Sequence, residues 1–478
     1  MFKVVKRTTP HALASGLFVL LSVLFSFKAN LMLTDTDFWW HLAAGDQIRA
    51  MGGIPSSDSF SFTANNYLWY NISWLWDVIY SWLNAQSPLY LPAVVTAIIN
   101  ALTLSILAGF MLKRGVGVVV ALTVILLGLA PYAYMLTPRP HEVTFLFTVI
   151  FYAICAGNNR RLLPVLPLLM ILWVNMHGGF LVGFIILGAY LLQTLLAKDK
   201  KSAGLFLLTI LTCLVACMLN PLGIDIFEAC RRTLSSALLP IISEWQPLQF
   251  DLKHGLHVIY LVIFLATFRF NKNTGIAEKL LSLLWAFSTY QHERNLPIFV
   301  LLSAPVMAIN LQSIFAKSNW LAKKNEDYER DLGNAKVRKA AFVIGLFITC
   351  ILISGIIRPY LNLNTPNTHP VEEAEFIKRN YPDKHFLNDY FQGGYLLYTG
   401  TKVFIDGRAE TAYPDEVVQD YLKFHYTQPG WEEIIPKYQI DGVILPRGNP
   451  ALPFFEANKA WEKVFEGALD VVYIKQQK

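Results

Sequence analysis

Charge is what this chain has least of. Only 15% of its residues are Asp, Glu, Lys or Arg, against 54% hydrophobic and 14% aromatic, too few to cover the water-facing surface of a soluble chain of 478 residues. A polytopic membrane protein is the class that remains. Cysteine is scarce as well: Cys155, Cys213, Cys217 and Cys350 fall inside apolar runs and Cys230 stands alone, which leaves neither a disulfide framework nor a zinc spacing. The net charge of +6 resolves into short basic clusters between apolar runs rather than a continuous stripe, and this excludes nucleic acid as a partner. There is no internal repeat and no low-complexity tract. No small-x-small cleavage site follows the first apolar run, so with Lys3, Lys6 and Arg7 ahead of it that run reads as an uncleaved anchor.

What the chain has in quantity is apolar sequence in stretches near the ~20 residues needed to cross a bilayer. Eleven are expected, at 11–30, 89–112, 116–136, 143–157, 162–176, 179–197, 203–219, 255–270, 276–291, 296–316 and 340–357. Lys113-Arg114, Arg160-Arg161, Lys198, Lys200 and Lys201, Arg269 and Lys272, and the cluster from Lys317 to Lys339 fall at alternate turns, on the side of the N-terminus. Basic residues in short loops resist translocation, which makes that side cytoplasmic. The loops after Leu33, Leu136, Val174, Asn220 and Tyr290, and everything after Arg358, then lie outside.

Two parts follow from this pattern: a transmembrane module over 1–360 and a soluble extracytoplasmic α/β domain over 361–478. The module includes a long first outer loop at 34–88, with Trp-rich pieces suited to lying along a membrane surface, and a cytoplasmic loop at 317–339. A polar linker at 361–369 opens the tail. Beyond it, Val371–Asn380 reads as an amphipathic helix, with further helices near 414–426 and 430–438. Lys402–Asp406, Asp441–Leu445 and Leu469–Ile474 read as short strands.

The groups capable of chemistry collect on the outer side. In the run Thr34–Leu42, Asp35 and Asp37 stand beside Trp39, Trp40 and His41. Either carboxylate can take a proton from a hydroxyl, and the pair together could hold a divalent cation such as Mg or Mn. The blander reading has Asp35 and Thr36 capping a helix that begins at Phe38, with the tryptophans in the interfacial belt; a cap accounts for one carboxylate and not both. Arg139, His141 and Glu142, then Asn175 and His177, Arg231 and Arg232, Glu244 and Trp245, and finally His292 to Pro297 with Arg294, all sit at outer ends of spans. Arginine there more often snorkels to head groups, and a lone histidine is usually structural. Converging on one side, where basic residues are otherwise few, they point to a shared outer cavity able to bind phosphate.

The motif Asp35-x-Asp37-x-Trp39-Trp40-His41-Leu42-x-x-Gly45, followed by Ile54-Pro55-x-x-Asp58-x-Phe60-Ser61-Phe62-Thr63, resembles the first outer loop of GT-C-type membrane glycosyltransferases of a bacterial branch. Asn175-x-His177-Gly178-Gly179-Phe180, Asn220-Pro221, Glu244-Trp245-x-Pro247, Gly393-Gly394-Tyr395 and Val403 to Arg408 resemble further marks of that branch, so the likeness spans nearly the whole chain. Where the branch often carries a His-Glu pair, this chain has Ile72-Ser73, and no role for that pair is carried over; Asp77 lies one helical turn beyond. The resemblance implies an inverting transfer from a polyprenyl-phosphate-linked sugar to a glycan, lipid or protein acceptor, at the outer face of a bacterial cytoplasmic membrane. Asp37, or Asp35, would act as base. Arg294 and Arg139 would hold the phosphate, with His141, His177, Glu244 and His41 around the substrate. Two other classes compete. A lipid-carrier flippase would place its ionisable residues near the bilayer midplane and show repeats. A non-catalytic scaffold would act through its tail, where Asp406 to Glu410 serves equally as an acceptor-binding edge or as a strand-end turn.

Overall fold

The computed structural model describes residues 9–26, 33–157, 159–269, 274–315, 335–355 and 368–476, with a few single positions between them. Lys3, Lys6 and Arg7, Lys272, most of the 317–339 loop and the 361–367 part of the linker lie outside the described residues.

Helices stand at all eleven expected places: α1 (Thr9–Ser26), α4 (Tyr90–Lys113), α5 (Val118–Ala133), α6 (His141–Ala156), α7 (Val165–Val174), α8 (Leu181–Leu196), α9 (Lys200–Cys217), α11 (Gly255–Phe268), α12 (Ile276–Gln291), α13 (Leu296–Phe315) and α14 (Ala335–Ser354). Among the described residues, four stretches, Tyr90–Lys113, Gly178–Leu196, Lys200–Cys217 and Glu293–Phe315, are long and apolar enough to cross a membrane by themselves. Outward faces of α9 and α11 carry exposed Leu207, Leu208, Leu211, Val215 and Val262, a surface suited to lipid rather than water. Helix α1 packs on α4 and α14, α4 on α6, and α13 on α5 and α12.

The long first loop supplies α2 (Asp37–Met51) and α3 (Trp74–Gln86), and α10 (Ile226–Leu234) follows α9. Helix α2 starts at Asp37 rather than at Phe38. Its first amide is met by Asp35 Oδ1 at 2.9 Å, while Thr36 makes no side-chain cap. Helices α2 and α3 pack against each other, and α2 also meets the tail.

The tail is α15 (Val371–Asn380), β1 (Phe386–Asn388), α16 (Tyr390–Tyr398), α17 (Asp415–His425), α18 (Ile434–Lys437), β2 (Gly442–Pro446), α19 (Leu452–Ala457), β3 (Trp461–Glu466) and β4 (Asp470–Lys475). The sheet order is β1-β2-β4-β3, with β1 parallel to β2 and the other pairs antiparallel. One expected strand is absent. Lys402–Asp406 runs beside the first loop and makes a single bridge, Ser61 to Val403, because its hydrogen-bonding groups are taken by that loop. The Phe62 amide donates to the Val403 carbonyl and the Val403 amide to that of Phe60, both at 3.2 Å, and the Tyr70 amide donates to Thr411 at 2.8 Å.

The tail shares its core with the loop as well. Ala44, Ala64 and Trp69 are buried in the same apolar cluster as Phe404, Tyr413, Tyr421 and Val443. At the seam α16 comes so close to the start of α2 that a Cβ on Gly394 would lie 2.4 Å from the Thr36 carbonyl oxygen, a contact only glycine permits. A buried ion cluster fastens the same seam. Arg408 donates to Asp406 through Nε at 2.8 Å and Nη2 at 2.7 Å, and through Nη1 to Asp58. Arg408, Asp406 and Asp58 are 2%, 0% and 0% exposed.

Candidate functional site

A cavity of about 420 Å³ lies where the first loop, the outer helix ends and the tail meet. Asp35, Asp37, His41, Arg139, His141, His177, Glu244 and Arg294 all line it. These eight of the residues singled out from the sequence are therefore brought to one place, from segments more than 250 positions apart.

Arg139 stands in a Pro-Arg-Pro turn, Pro138 to Pro140, whose fixed backbone leads into α6. Its guanidinium reaches Asp37 Oδ2 at 2.7 Å, Glu244 Oε2 at 3.1 Å and Asp35 Oδ2 at 3.3 Å. Three carboxylates around one arginine leave it few free donors, so in this structure Arg139 organises the acids instead of facing open space. Arg294 is differently placed. It touches Glu244 at 3.4 Å and lies over the Trp245 ring at 4.0 Å, which leaves most of its N–H groups unspent on protein.

These surroundings separate the acids. Burial pushes Glu244 up, but Arg139 and Arg294 outweigh it and hold the carboxyl at about 2. For Asp37 burial prevails: with Asp35 and Glu244 adding to it, and Arg139 and the Trp40 indole opposing, its pKa rises to about 6. Asp37 is thus the acid poised near neutrality, where a general base works best. Gly407 is pressed against it. A Cβ there would lie 2.0 Å from Asp37 Oδ1 and 2.9 Å from Trp40 Nε1, so the tail backbone helps close the site around the carboxylate.

His41, one turn further along α2, meets Asp77 of α3 at 2.6 Å through Nδ1, and Asn71 Nδ2 donates to the other Asp77 oxygen at 2.9 Å. Burial drives His41 down and Asp77 up, so both members of this buried pair are pushed toward their neutral forms. At His177, Nδ1 accepts from the Gly179 amide at 3.1 Å and meets the Thr144 hydroxyl at 2.7 Å, which itself accepts from Trp173 at 2.9 Å. That places the proton on His177 Nε2. His141 is held by the Met135 carbonyl at 2.7 Å through Nε2 and acts mainly as a brace for the Arg139 turn. Glu142 lies behind the cavity wall, fully buried against Tyr80 and Asn100. Arg231 pairs with Glu228 at 2.7 Å on an exposed helix face, and Arg232 lies over the Tyr70 ring.

The expectation that Asp35 and Asp37 hold a divalent cation does not fit this donor set. Both carboxylates close on Arg139, whose guanidinium takes the position between them, and the described residues contain no group of three metal-ligating side chains. Glu410, at the end of the Asp406 to Glu410 run, and Thr137, beside the Pro-Arg-Pro turn, also line the cavity, as does Tyr390, which was not singled out from the sequence. Nothing local marks Tyr390, because its place depends on the tail folding back onto the loop.

No protein-family model matches the chain, and no curated protein matches it by sequence. Solved structures do match. The archaeal oligosaccharyltransferase AglB from Archaeoglobus fulgidus, in complex with an inhibitory peptide and a dolichol-phosphate, superposes with a TM-score of 0.59 at 13% identity, over 90% of this chain and 69% of that one. The same oligosaccharyltransferase in its apo form gives 0.57 at 14% identity over 93% and 70%. ArnT from Cupriavidus metallidurans bound to undecaprenyl phosphate gives 0.53 at 13% identity over 96% and 97%. At such identities the likeness is one of fold: the chain shares its architecture with the AglB oligosaccharyltransferase and ArnT structures.

Proposed function

We propose that this protein transfers a sugar from a polyprenyl-phosphate-linked donor to a hydroxyl acceptor at the outer face of a bacterial cytoplasmic membrane. The observation that carries the reading is the cavity in which Asp37, with its pKa raised to about 6, lies near the under-used guanidinium of Arg294. The likeness in fold to AglB in complex with a dolichol-phosphate and to ArnT bound to undecaprenyl phosphate supports it.

In this reading Asp37 takes the proton of the acceptor hydroxyl as its oxygen attacks the anomeric carbon. The bond from that carbon to the phosphate oxygen breaks, the electron pair leaves with the polyprenyl phosphate, and the anomeric configuration inverts. Arg294 stabilises the charge growing on the phosphate, His177 Nε2–H and His41 Nε2 stand by as hydrogen-bonding groups, and Arg139 holds the acids in register. All eleven apolar helices cross the bilayer, with the N-terminus inside and the 361–478 domain outside. A flippase fits less well, since the ionisable groups gather beside the tail and not at mid-helix.

Mass spectrometry of envelope glycans and lipid-linked sugars, with and without the gene, tests the reaction. One polyprenyl-phosphate sugar should accumulate and one glycan structure should disappear on deletion, whereas unchanged profiles of both would sink the proposal. Arg294→Ala should weaken undecaprenyl phosphate binding about 10- to 100-fold, the range for a charge-assisted contact, measured by native mass spectrometry of the purified protein; unaltered binding would remove Arg294 from the phosphate role. The pH profile checks Asp37. A base must be ionised, so kcat/KM should rise with pH and level off above about 6. Asp35 raises that pKa and Arg139 lowers it, so Asp35→Asn should move the inflection down and Arg139→Gln should move it up.

A further inference from the structure

Charge divides the cavity into two walls. Arg139 and Arg294 occupy one, with their carboxylates. The second is the tail segment Gly407 to Thr411 with Tyr390 and Phe391, and its own cation, Arg408, is saturated by Asp58 and Asp406. An anion therefore meets the spare donors of Arg294 on the first wall and finds no free cation among the described residues of the second.

Two polar groups stand on the second wall. Glu410 is 7% exposed; its Oε1 accepts from the Ala237 amide at 2.7 Å, while Oε2 has no hydrogen-bond partner among the described residues. A carboxylate oxygen unmet at that depth is costly, and a ligand hydroxyl would meet it. The chain reaches this position through Ala409 at φ 49°, a left-handed turn that a non-glycine residue adopts only when its surroundings hold it there. Tyr390 is 6% exposed. Its amide donates to the Tyr421 hydroxyl at 2.9 Å, and Asp389 and Gln392 cap its helix reciprocally. Its phenol ring lines the cavity. Burial, then the nearby charges of Asp37, Asp406 and Glu410, push the phenol hydroxyl's pKa up, with Arg139 opposing. The phenol thus stands within the fields of both the proposed base and the free carboxylate. Trp69, Tyr70 and Phe391 add aromatic surface around it.

We infer that Tyr390 and Glu410 form the acceptor subsite, and that it takes an uncharged, hydroxyl-rich glycan. The inference rests on the proposed function and deepens it. A donor and an acceptor side by side match paired sugar hydroxyls, aromatic faces suit the apolar face of a pyranose ring, and the negative charge of Glu410 repels uronic or phosphorylated acceptors. Held there, an acceptor hydroxyl shares the cavity with Asp37.

The test probes arrays of neutral oligosaccharides, uronic-acid-containing oligosaccharides, and Ser-, Thr- and Lys-containing peptides with the full-length protein in detergent. Neutral oligosaccharides should retain the protein, and Glu410→Gln and Tyr390→Phe should each lower that signal about tenfold or more. Gln keeps the oxygen that accepts from Ala237, and Phe keeps the ring, so melting temperature serves as the check on folding; if Glu410→Gln unfolds, Tyr390→Phe decides. Equal capture by the variants, preference for the anionic glycans or the peptides, or no capture at all would overturn the inference. The two readings separate cleanly. Undecaprenyl phosphate binding that depends on Arg294, without glycan capture, sinks the acceptor subsite alone, whereas loss of that dependence sinks the transferase reading.

Discussion

Asp37→Asn should lower sugar transfer by about 10²- to 10⁴-fold, the contribution of a positioned general base, with little change in melting temperature. The amide keeps the shape of the carboxylate and an oxygen for Arg139, which donates to Asp37 at 2.7 Å, but it cannot take the acceptor proton. Asp35→Asn should cost much less. Its oxygen can still receive the Asp37 amide, now at 2.9 Å, and Arg139 keeps two of its three acids. The measurement is turnover of a polyprenyl-phosphate sugar in proteoliposomes, with both variants at matched reconstitution. Wild-type turnover by Asp37→Asn would refute the assignment of the base, and a collapse in Asp35→Asn alone would move the role to Asp35.

The second large effect concerns stability. Arg408→Met should destabilise the seam between tail and first loop by about 3–5 kcal/mol, because it leaves two buried carboxylates without their cation. Asp58 would retain the Phe60 and Ser61 amides and the Ser61 hydroxyl, at 3.1, 3.0 and 2.6 Å, and Asp406 the Tyr413 hydroxyl at 2.6 Å. Those neutral donors offset only part of the loss. The guanidinium also lies about 5 Å from the rings of Phe60 and Trp69, at 5.1 and 5.0 Å, contacts that Met replaces by packing alone. A lower melting temperature and faster proteolysis within the tail are the expected readings. Neutralising the whole cluster with Asp58→Asn, Asp406→Asn and Arg408→Met together should recover part of the loss, since no buried charge then stands alone. An unshifted melting temperature in Arg408→Met would show that the cluster does not hold the seam.

The same cluster shows how far the sequence could be read. The run from Asp406 to Glu410 left two equal meanings, an acceptor edge or a turn at the end of a strand. The structure divides them by residue: Arg408 and Asp406 are structural, Gly407 closes on Asp37, and Glu410 keeps a free oxygen at the cavity wall. The strand expected at Lys402–Asp406 failed for a related reason. Its residue types suit a strand, but its partner is the first loop, some 340 positions earlier, and the two share one bridge. Phe386–Asn388 and Trp461–Glu466 went unread as strands, the first because three residues carry no periodicity, the second because its burial does not alternate. By contrast Val371–Asn380 is helical over the expected residues, since its amphipathic spacing and its charges at each end are local.

The sequence by itself determined the membrane class, the position of each apolar helix and the list of outer polar groups worth testing. Hydropathy and helical periodicity are sums over neighbouring residues, so they survive in one dimension. Only the tertiary structure decided which of those groups meet: Arg139 with three acids, Arg294 with its donors to spare, His41 with Asp77, and Tyr390 and Glu410 joining them from the tail. An ion pair or a raised pKa depends on distance and on the water excluded around it, and those are set by segments that sequence order keeps hundreds of residues apart.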